Sequence, residues 1–154
     1  MTYKEFLESK IELAQDSGFI VDPAKVSNAL KPHQRDAVAW ALKGGRRALF
    51  ESFGLGKTVQ EIEFCHLAAE HSGGRALIVL PLGVKQEFTH DAVEVLGYEK
   101  PEYCRTMEEV EQSASQIVLT NYERVRDGDI RPEYFAATSL DEASVLEPQP
   151  PQRK

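Results

Sequence analysis

Cysteine, long apolar runs and positive charge are all scarce in this chain, and each shortage excludes a class of protein. The two cysteines, Cys65 and Cys104, lie far apart without CxxC spacing, so the sequence predicts neither a disulfide framework nor a zinc site. No apolar run approaches the length of a membrane-spanning helix. The formal net charge of −7 argues against a tight, non-specific grip on nucleic acid, because Lys and Arg provide most of that affinity. We therefore expect a protein of a reducing cytoplasm with no membrane partner.

The composition that remains is sufficient for one folded domain. With 154 residues, 42% of them hydrophobic, the chain can bury one core but is too short for two lobes of ordinary size. Apolar residues at helical spacing predict an N-terminal helical appendage over residues 1–21. Residues 22–146 are the expected main domain. Residues 147–154 are rich in proline and are expected to be a tail that continues neither helix nor sheet.

The most informative segment runs from an apolar strand through a glycine-rich turn into a helix. It reads Phe50-Glu51-Ser52-Phe53-Gly54-Leu55-Gly56-Lys57-Thr58. In such a P-loop, Gly54 and Gly56 let the backbone around Leu55 turn its N–H groups toward the phosphates of a nucleoside triphosphate. Lys57 can then reach the β- and γ-phosphates, and the Thr58 hydroxyl can hold Mg²⁺. The strict pattern has glycine where this chain has Glu51, and the alternative is a glycine-rich turn before an ordinary helix.

Strand and helix patterns alternate through the main domain. Strands are predicted over 47–51, 76–80, 103–104, 116–120 and 137–140, and helices over 32–44, 58–71, 83–96 and 107–115. The helix over 83–96 is expected to turn Phe88, Ala92, Val93 and Leu96 inward. This alternation predicts an α/β fold: a three-layer α/β/α sandwich with a mainly parallel sheet, whose ligand lies beyond the carboxyl ends of the strands.

The last predicted strand ends in a pair of carboxylates, Asp141 and Glu142. At the tip of a strand in a P-loop domain, Asp141 is expected to hold Mg²⁺ through water. Glu142 is expected to orient and deprotonate the attacking water. On its own, an Asp-Glu pair at a strand end is more often a solvated turn, so this interpretation depends on the P-loop upstream.

Together these segments resemble the superfamily 2 helicases and translocases, in particular the Swi2/Snf2-like helicases, related to the DEAD/DEAH-box enzymes, that occur in phage and prophage genomes beside DNA methyltransferases. The resemblance runs from Met1 to about Leu146. Five motifs carry it: Leu30-Lys31-Pro32-His33-Gln34-Arg35-Asp36 as the Q motif, Phe50 to Thr58 as motif I, Leu80-Pro81-Leu82-Gly83-Val84-Lys85-Gln86 as motif Ia, Leu119-Thr120-Asn121-Tyr122-Glu123 as motif Ib, and Asp141-Glu142-Ala143-Ser144 as motif II.

The resemblance implies a RecA-like lobe over 22–146 that binds ATP and Mg²⁺ in the cytoplasm of a bacterial host. In that lobe Gln34 would pair with the adenine edge, and Lys57, Asp141 and Glu142 would form the catalytic set. Thr58 and Asp141 would hold the metal. DNA is the implied partner, and the implied contacts to its backbone are Pro81, Lys85, Gln86, Thr120, Asn121 and Tyr122.

The sequence departs from the family in two respects. Ser144 stands where many relatives carry His, Asp or Gln. The family also continues into motif III and a second RecA-like lobe with motifs IV to VI, whose arginines complete the ATP site; such an arginine contributes about 10³ to 10⁵ in rate, so we expect slow or absent turnover by this chain alone. In the family, the strand after motif II lies between the motif I and motif II strands. Without it, we expect a rearranged sheet, a different strand order or a strand from a partner.

Two other functions remain open from the sequence. The first, from a different class, is a phage or mobile-element protein derived from such a helicase that inhibits or modulates a host or defence protein without catalysis. The second is an isolated P-loop NTPase or kinase. A protein partner that supplies a missing lobe or strand would be compatible with the helicase interpretation.

Several other residues have simpler expected roles. Trp40 is expected to be in the core or to staple a helix, with base stacking as the alternative. Phe19 is expected to pack in the core, with stacking on adenine as the alternative. The four histidines are expected at the surface or on helix sides: His33, His66, His71 and His90.

Overall fold

The computed structural model describes residue 5 and residues 18–44, 48–50 and 57–141, with the backbone alone for 48–50. The glycine-rich turn of the P-loop, Glu142 and the proline-rich tail lie outside these residues. The predicted N-terminal helix also lies outside them, apart from residue 5 and from residues 18–21 at its end.

Helices and strands alternate through the described ranges, as the sequence predicts. The helices are α1 Pro32–Gly44, α2 Lys57–Ser72, α3 Lys85–His90, α4 Met107–Gln112 and α5 Tyr122–Arg126. The strands are β1 Ala48–Phe50, β2 Ala76–Val79, β3 Glu102–Tyr103, β4 Ile117–Thr120 and β5 Ala137–Asp141. Short 3₁₀ turns cover Pro23–Lys25, Leu82–Val84 and Pro132–Tyr134, and a π-helical turn, Asp91–Val95, follows α3.

The helix predicted over 83–96 is three consecutive pieces rather than one regular helix. A 3₁₀ turn leads into α3, and the π-helical turn follows it. The chain then leaves the helical path at Gly97, whose φ of 73° lies in the left-handed region that favours glycine. The predicted helix over 107–115 likewise ends early, because Ser113 has extended backbone angles.

All strand pairs in the described sheet are parallel, and the order is β1-β5-β2-β4-β3. The motif I strand β1 pairs directly with the motif II strand β5, with Phe50 opposite Asp141. Among the described strands, therefore, no strand separates these two. The sequence leaves three outcomes open: a rearranged sheet, a different strand order or a strand from a partner. The described strands show a different order from that of the family, and direct pairing satisfies the backbone groups between β1 and β5.

Two hydrophobic clusters lie on opposite faces of the sheet, because successive strand residues point to opposite sides. Ile78 and Leu119 belong to the cluster that includes α1, α2 and α3. Leu77 and Val118 belong to the cluster that includes Val110 of α4 and Val125 of α5. The described fold is therefore the three-layer α/β/α sandwich that the alternation predicts.

Two apolar residues predicted to face inward lie on the surface. The prediction that Trp40 is in the core is wrong, since 76% of it is exposed while Val38, Ala41 and Leu42 of the same helix are buried. Val93 is 37% exposed, because consecutive helical residues point in different directions and Ala92 takes the buried position.

Phe19 packs against the core, as predicted, and its ring stacks on His71 with centroids 3.7 Å apart. His71 lies near the carboxyl end of α2, whereas the residues predicted to bind phosphate lie at the amino end of that helix. This placement favours the packing role over stacking on adenine.

Candidate nucleotide site

The parallel sheet brings the carboxyl ends of its strands, and therefore motifs from distant parts of the chain, to one edge. Lys57 begins α2, and Asp141 is the last residue of β5. They are 84 positions apart in sequence, yet the Lys57 ammonium donates to Asp141 Oδ1 in an ion pair. Both side chains are largely buried, so this pair is screened less than a surface pair. The sequence-predicted motifs I and II thus meet.

Thr58, whose hydroxyl is predicted to bind the metal, directly follows Lys57 and is buried. Its Oγ1 donates to Glu87 Oε1 at 3.4 Å. The hydroxyl of Thr58 and the carboxylate of Asp141 are hard oxygen ligands of the kind that Mg²⁺ takes, usually together with substrate phosphates and water. Among the described residues, no group of three or more His, Cys, Asp and Glu side chains could hold a metal ion by itself. The two oxygen groups of Thr58 and Asp141 fit a Mg²⁺ ion whose remaining ligands are phosphates and water.

Gln34 is buried at the start of α1, and its side-chain carbonyl accepts a hydrogen bond from the Lys31 backbone N–H at 2.8 Å. This bond satisfies one of the donors that the first turn of a helix leaves without a helical partner. It also fixes the direction of the amide. Pairing of that amide with adenine remains a prediction.

The segment before α1 is fastened to the domain by two further side chains. The Arg35 guanidinium donates to the carbonyls of Pro23 at 2.8 Å and Val26 at 3.3 Å. Glu63 of α2 accepts from the Ser27 backbone N–H at 2.7 Å. The Q-motif segment is thereby held against the helix that begins with Lys57.

Glu63 belongs to a polar network in which Tyr98 also takes part. The Tyr98 hydroxyl donates to the second carboxyl oxygen of Glu63. Burial and this hydrogen bond together raise the pKa of Tyr98. His66 stacks on Tyr98 with ring centroids 3.8 Å apart, and its Nδ1 lies 3.0 Å from Gln116 Oε1. The sequence predicts only a surface or helix-side position for His66, whereas the structure gives it a stacking partner and a polar partner.

The motif Ia residues Lys85 and Gln86 line a groove of about 570 Å³ between α3 and β3. The Lys85 ammonium lies 4.8 Å from the centre of the Tyr103 ring, within the range of a cation–π interaction. The Tyr103 hydroxyl donates to Asn121 Oδ1 at 2.6 Å. Tyr103 therefore connects motif Ia with motif Ib.

The other candidates for nucleic-acid contact have different surroundings. Thr120 is fully buried, and its hydroxyl donates to the Cys104 carbonyl at 2.9 Å, so it supports the sheet and does not face solvent. Pro81 is half-buried, and its carbonyl accepts from Val84 N–H at 3.1 Å. Tyr122 is half-buried, with the Arg126 guanidinium 5.4 Å from its ring centre.

Sequence reasoning missed Glu87 and Tyr103 as site residues. Glu87 directly follows motif Ia, but only the fold brings it to Thr58. Tyr103 was assigned to a short strand, and its position beside Lys85 depends on how α3 packs against the edge of the sheet. Gly54, Leu55, Gly56 and Glu142 lie outside the described residues, and their roles stay predictions.

The parallel sheet with helices on both faces is a RecA-like α/β/α fold. Two solved structures of the UvsW helicase from bacteriophage T4 share this fold. The first has 18% sequence identity and a TM-score of 0.60, and the match covers 96% of this chain and 52% of that chain. The second has 14% identity and a TM-score of 0.55, covering 94% and 35%.

The chain thus spans about half of one UvsW chain and about a third of the other. No protein-family model matches the sequence. In the part of the chain that the structure describes, no helix is both long and apolar enough to cross a membrane.

Proposed function

We propose that this chain is an ATP- and Mg²⁺-binding lobe of a Swi2/Snf2-like DNA helicase or translocase. The observation that best supports the proposal is the contact between Lys57 and Asp141 at the carboxyl edge of a parallel sheet. A P-loop lysine and a strand-end carboxylate at one place are what binding of a metal–nucleotide complex requires. The fold shared with UvsW is compatible with this role.

The residues have distinct roles in the proposed site. Lys57 binds the terminal phosphates, and Thr58 and Asp141 hold the metal, which supplies charge neutralisation at the phosphates when bound. Gln34 orients the base through its fixed amide. Glu142, by its position in the sequence, orients the attacking water.

Isothermal titration calorimetry with Mg²⁺–ATP tests the proposal on the intact chain. We expect micromolar binding by the wild type and its loss in Lys57→Ala, because the lysine provides the main positive charge for the phosphates. Lys43→Ala, at an exposed position in α1, is the matched control and should bind like the wild type. Absence of binding to the folded wild type would overturn the proposal.

We further propose that the Lys85 and Gln86 end of the groove contacts the DNA backbone. Fluorescence anisotropy with labelled oligonucleotides at several salt concentrations measures this contact. Lys85→Ala should weaken binding equally for unrelated sequences and reduce the salt slope by about 0.7 to 0.9, the value for one phosphate contact. Lys25→Ala, in an exposed turn, is the control. An unchanged salt slope in Lys85→Ala would place the DNA elsewhere.

A second candidate is the helicase-derived protein that binds and modulates a host or defence protein, with no catalysis. Its supporting observation is the exposure of two large apolar side chains, Trp40 at 76% and Ile20 at 83%. For this candidate, partner affinity measured by biolayer interferometry should persist after Lys57→Ala and Glu142→Gln and fall after Trp40→Ala. Loss of partner binding in Lys57→Ala alone would favour the nucleotide-binding lobe.

A further inference from the structure

Glu87 reaches the proposed metal site from an element that the P-loop motif does not include. It lies in the first turn of α3, whereas Thr58 lies in the first turn of α2. The Thr58 hydroxyl donates to Glu87 Oε1 at 3.4 Å, across a sequence separation of 29. Thr58 is buried, whereas Glu87 is exposed to solvent, so the contact lies at the mouth of the site.

The direction of that proton determines what the Thr58 oxygen can bind. A hydroxyl has one proton to donate and two lone pairs that accept. When the proton points to Glu87, both lone pairs remain for a cation.

Charge leads to the same conclusion. The ammonium of Lys57 and the carboxylate of Asp141 form an ion pair, so together they contribute no net charge. Glu87, an exposed side chain whose charge solvent partly screens, adds one negative charge beside Thr58. A nearby negative charge disfavours a bare polyphosphate and favours a divalent cation, by Coulomb's law.

We propose that Glu87 is a positioning residue of the metal site, which orients the Thr58 hydroxyl and makes the site prefer the Mg²⁺ complex of a nucleoside triphosphate over the metal-free nucleotide. This inference rests on the proposed function, since it concerns the same site. It assigns to α3 a role in metal selection in addition to the nucleic-acid contacts expected of motif Ia.

The test compares two affinities for each variant by calorimetry: ATP with excess Mg²⁺, and ATP with EDTA. Glu87→Ala should lower the ratio of these affinities about tenfold, the loss expected for one hydrogen bond to a charged group. Glu87→Gln keeps an acceptor for Thr58 and should restore part of the ratio. The difference in affinity ratio between the Gln and Ala variants measures the effect of orienting the Thr58 hydroxyl, separately from the effect of the Glu87 charge.

The matched control is Glu108→Ala. Glu108 is an exposed glutamate in the first turn of α4, just as Glu87 is in the first turn of α3. Its replacement therefore removes the same charge from the start of a helix, but on the opposite face of the sheet. Its affinity ratio should equal that of the wild type. Circular dichroism and thermal melts of all variants report whether each one folds.

Each result decides between the alternatives. An unchanged ratio in Glu87→Ala, with normal Mg²⁺–ATP binding by the wild type, overturns the inference and leaves the proposed function intact. Equal weakening of both affinities also overturns it, because Glu87 then supports the pocket and not the metal. A folded wild type that binds neither form overturns the proposed function, and this inference with it.

Discussion

At the scale of single residues, Glu63 is a buried side chain with a donor for each carboxyl oxygen. One oxygen accepts from the Ser27 N–H at 2.7 Å and the other from the Tyr98 hydroxyl. Tyr98→Phe removes the second donor and keeps the ring. It should lower the free energy of unfolding by about 1 to 3 kcal/mol, the cost of a buried polar atom without a partner.

Urea denaturation measures this loss. Tyr134→Phe is the control, because Tyr134 is exposed and the edge contact of its ring with Phe135 does not need the hydroxyl. If both variants lose the same small amount, the Tyr98 hydrogen bond contributes no measurable stability.

The same residue predicts a pH dependence. The pKa of Tyr98 is raised in the folded chain by burial and by the hydrogen bond to Glu63, above an unfolded value of about 10. Its contribution to stability is therefore complete below about pH 10 and is lost as the pH rises further. The difference in unfolding free energy between the wild type and Tyr98→Phe should therefore stay constant up to about pH 9 and narrow as the pH rises above about 10. A constant difference would contradict this.

The sequence predicted only those residues of the candidate site that belong to a local sequence motif. Lys57, Thr58 and Asp141 were predicted because spacing and strand position define their roles. Glu87 and Tyr103 were not, because each acquires its partners only through the tertiary fold. Trp40 was predicted wrongly, because helical spacing gives the faces of a helix but not which face is covered.

At the scale of elements, α4 depends on a cap. The Thr106 hydroxyl accepts from the Glu109 N–H at 3.2 Å, and the Glu109 carboxylate accepts from the Arg105 N–H at 2.7 Å. Thr106→Ala should destabilise the chain by about 1 kcal/mol, as is usual for loss of a helix cap. Thr106→Ser retains the hydroxyl and should restore most of the loss in the same denaturation experiment. Equal losses in both variants would exclude the cap as the cause.

The elements that the sequence predicted well are the buried strands and the long helix α2. Continuous apolar runs such as 76–80 have few alternatives in an alternating chain, and α2 is long enough to show its period. Helix α5, with five residues, was missed because it is too short for a periodic pattern. The π-helical turn after α3 has no signature in the spacing of apolar residues.

At the scale of the whole molecule, the proposed site joins elements that are far apart in sequence, so a ligand there should stabilise the entire fold. A ligand that binds only the folded chain adds about 2.7 kcal/mol when its concentration is 100 times Kd. Mg²⁺–ATP should therefore raise the Tm of the wild type and leave that of Lys57→Ala unchanged. Differential scanning fluorimetry measures both; an equal rise in the two proteins would indicate binding at another place.

The order of the sheet has a consequence for how the chain folds. Among the described strands, β1 has β5 as its one neighbour, and β5 also pairs with β2. Strand β1 is synthesised first among the described strands, yet it can pair only after β5, the last of them, has been synthesised. Such distant pairings fold slowly and leave strand edges open to wrong partners in the meantime. A nascent chain that stops before Ala137 should pair β2, β4 and β3 with one another, while β1 still lacks the strand with which it pairs.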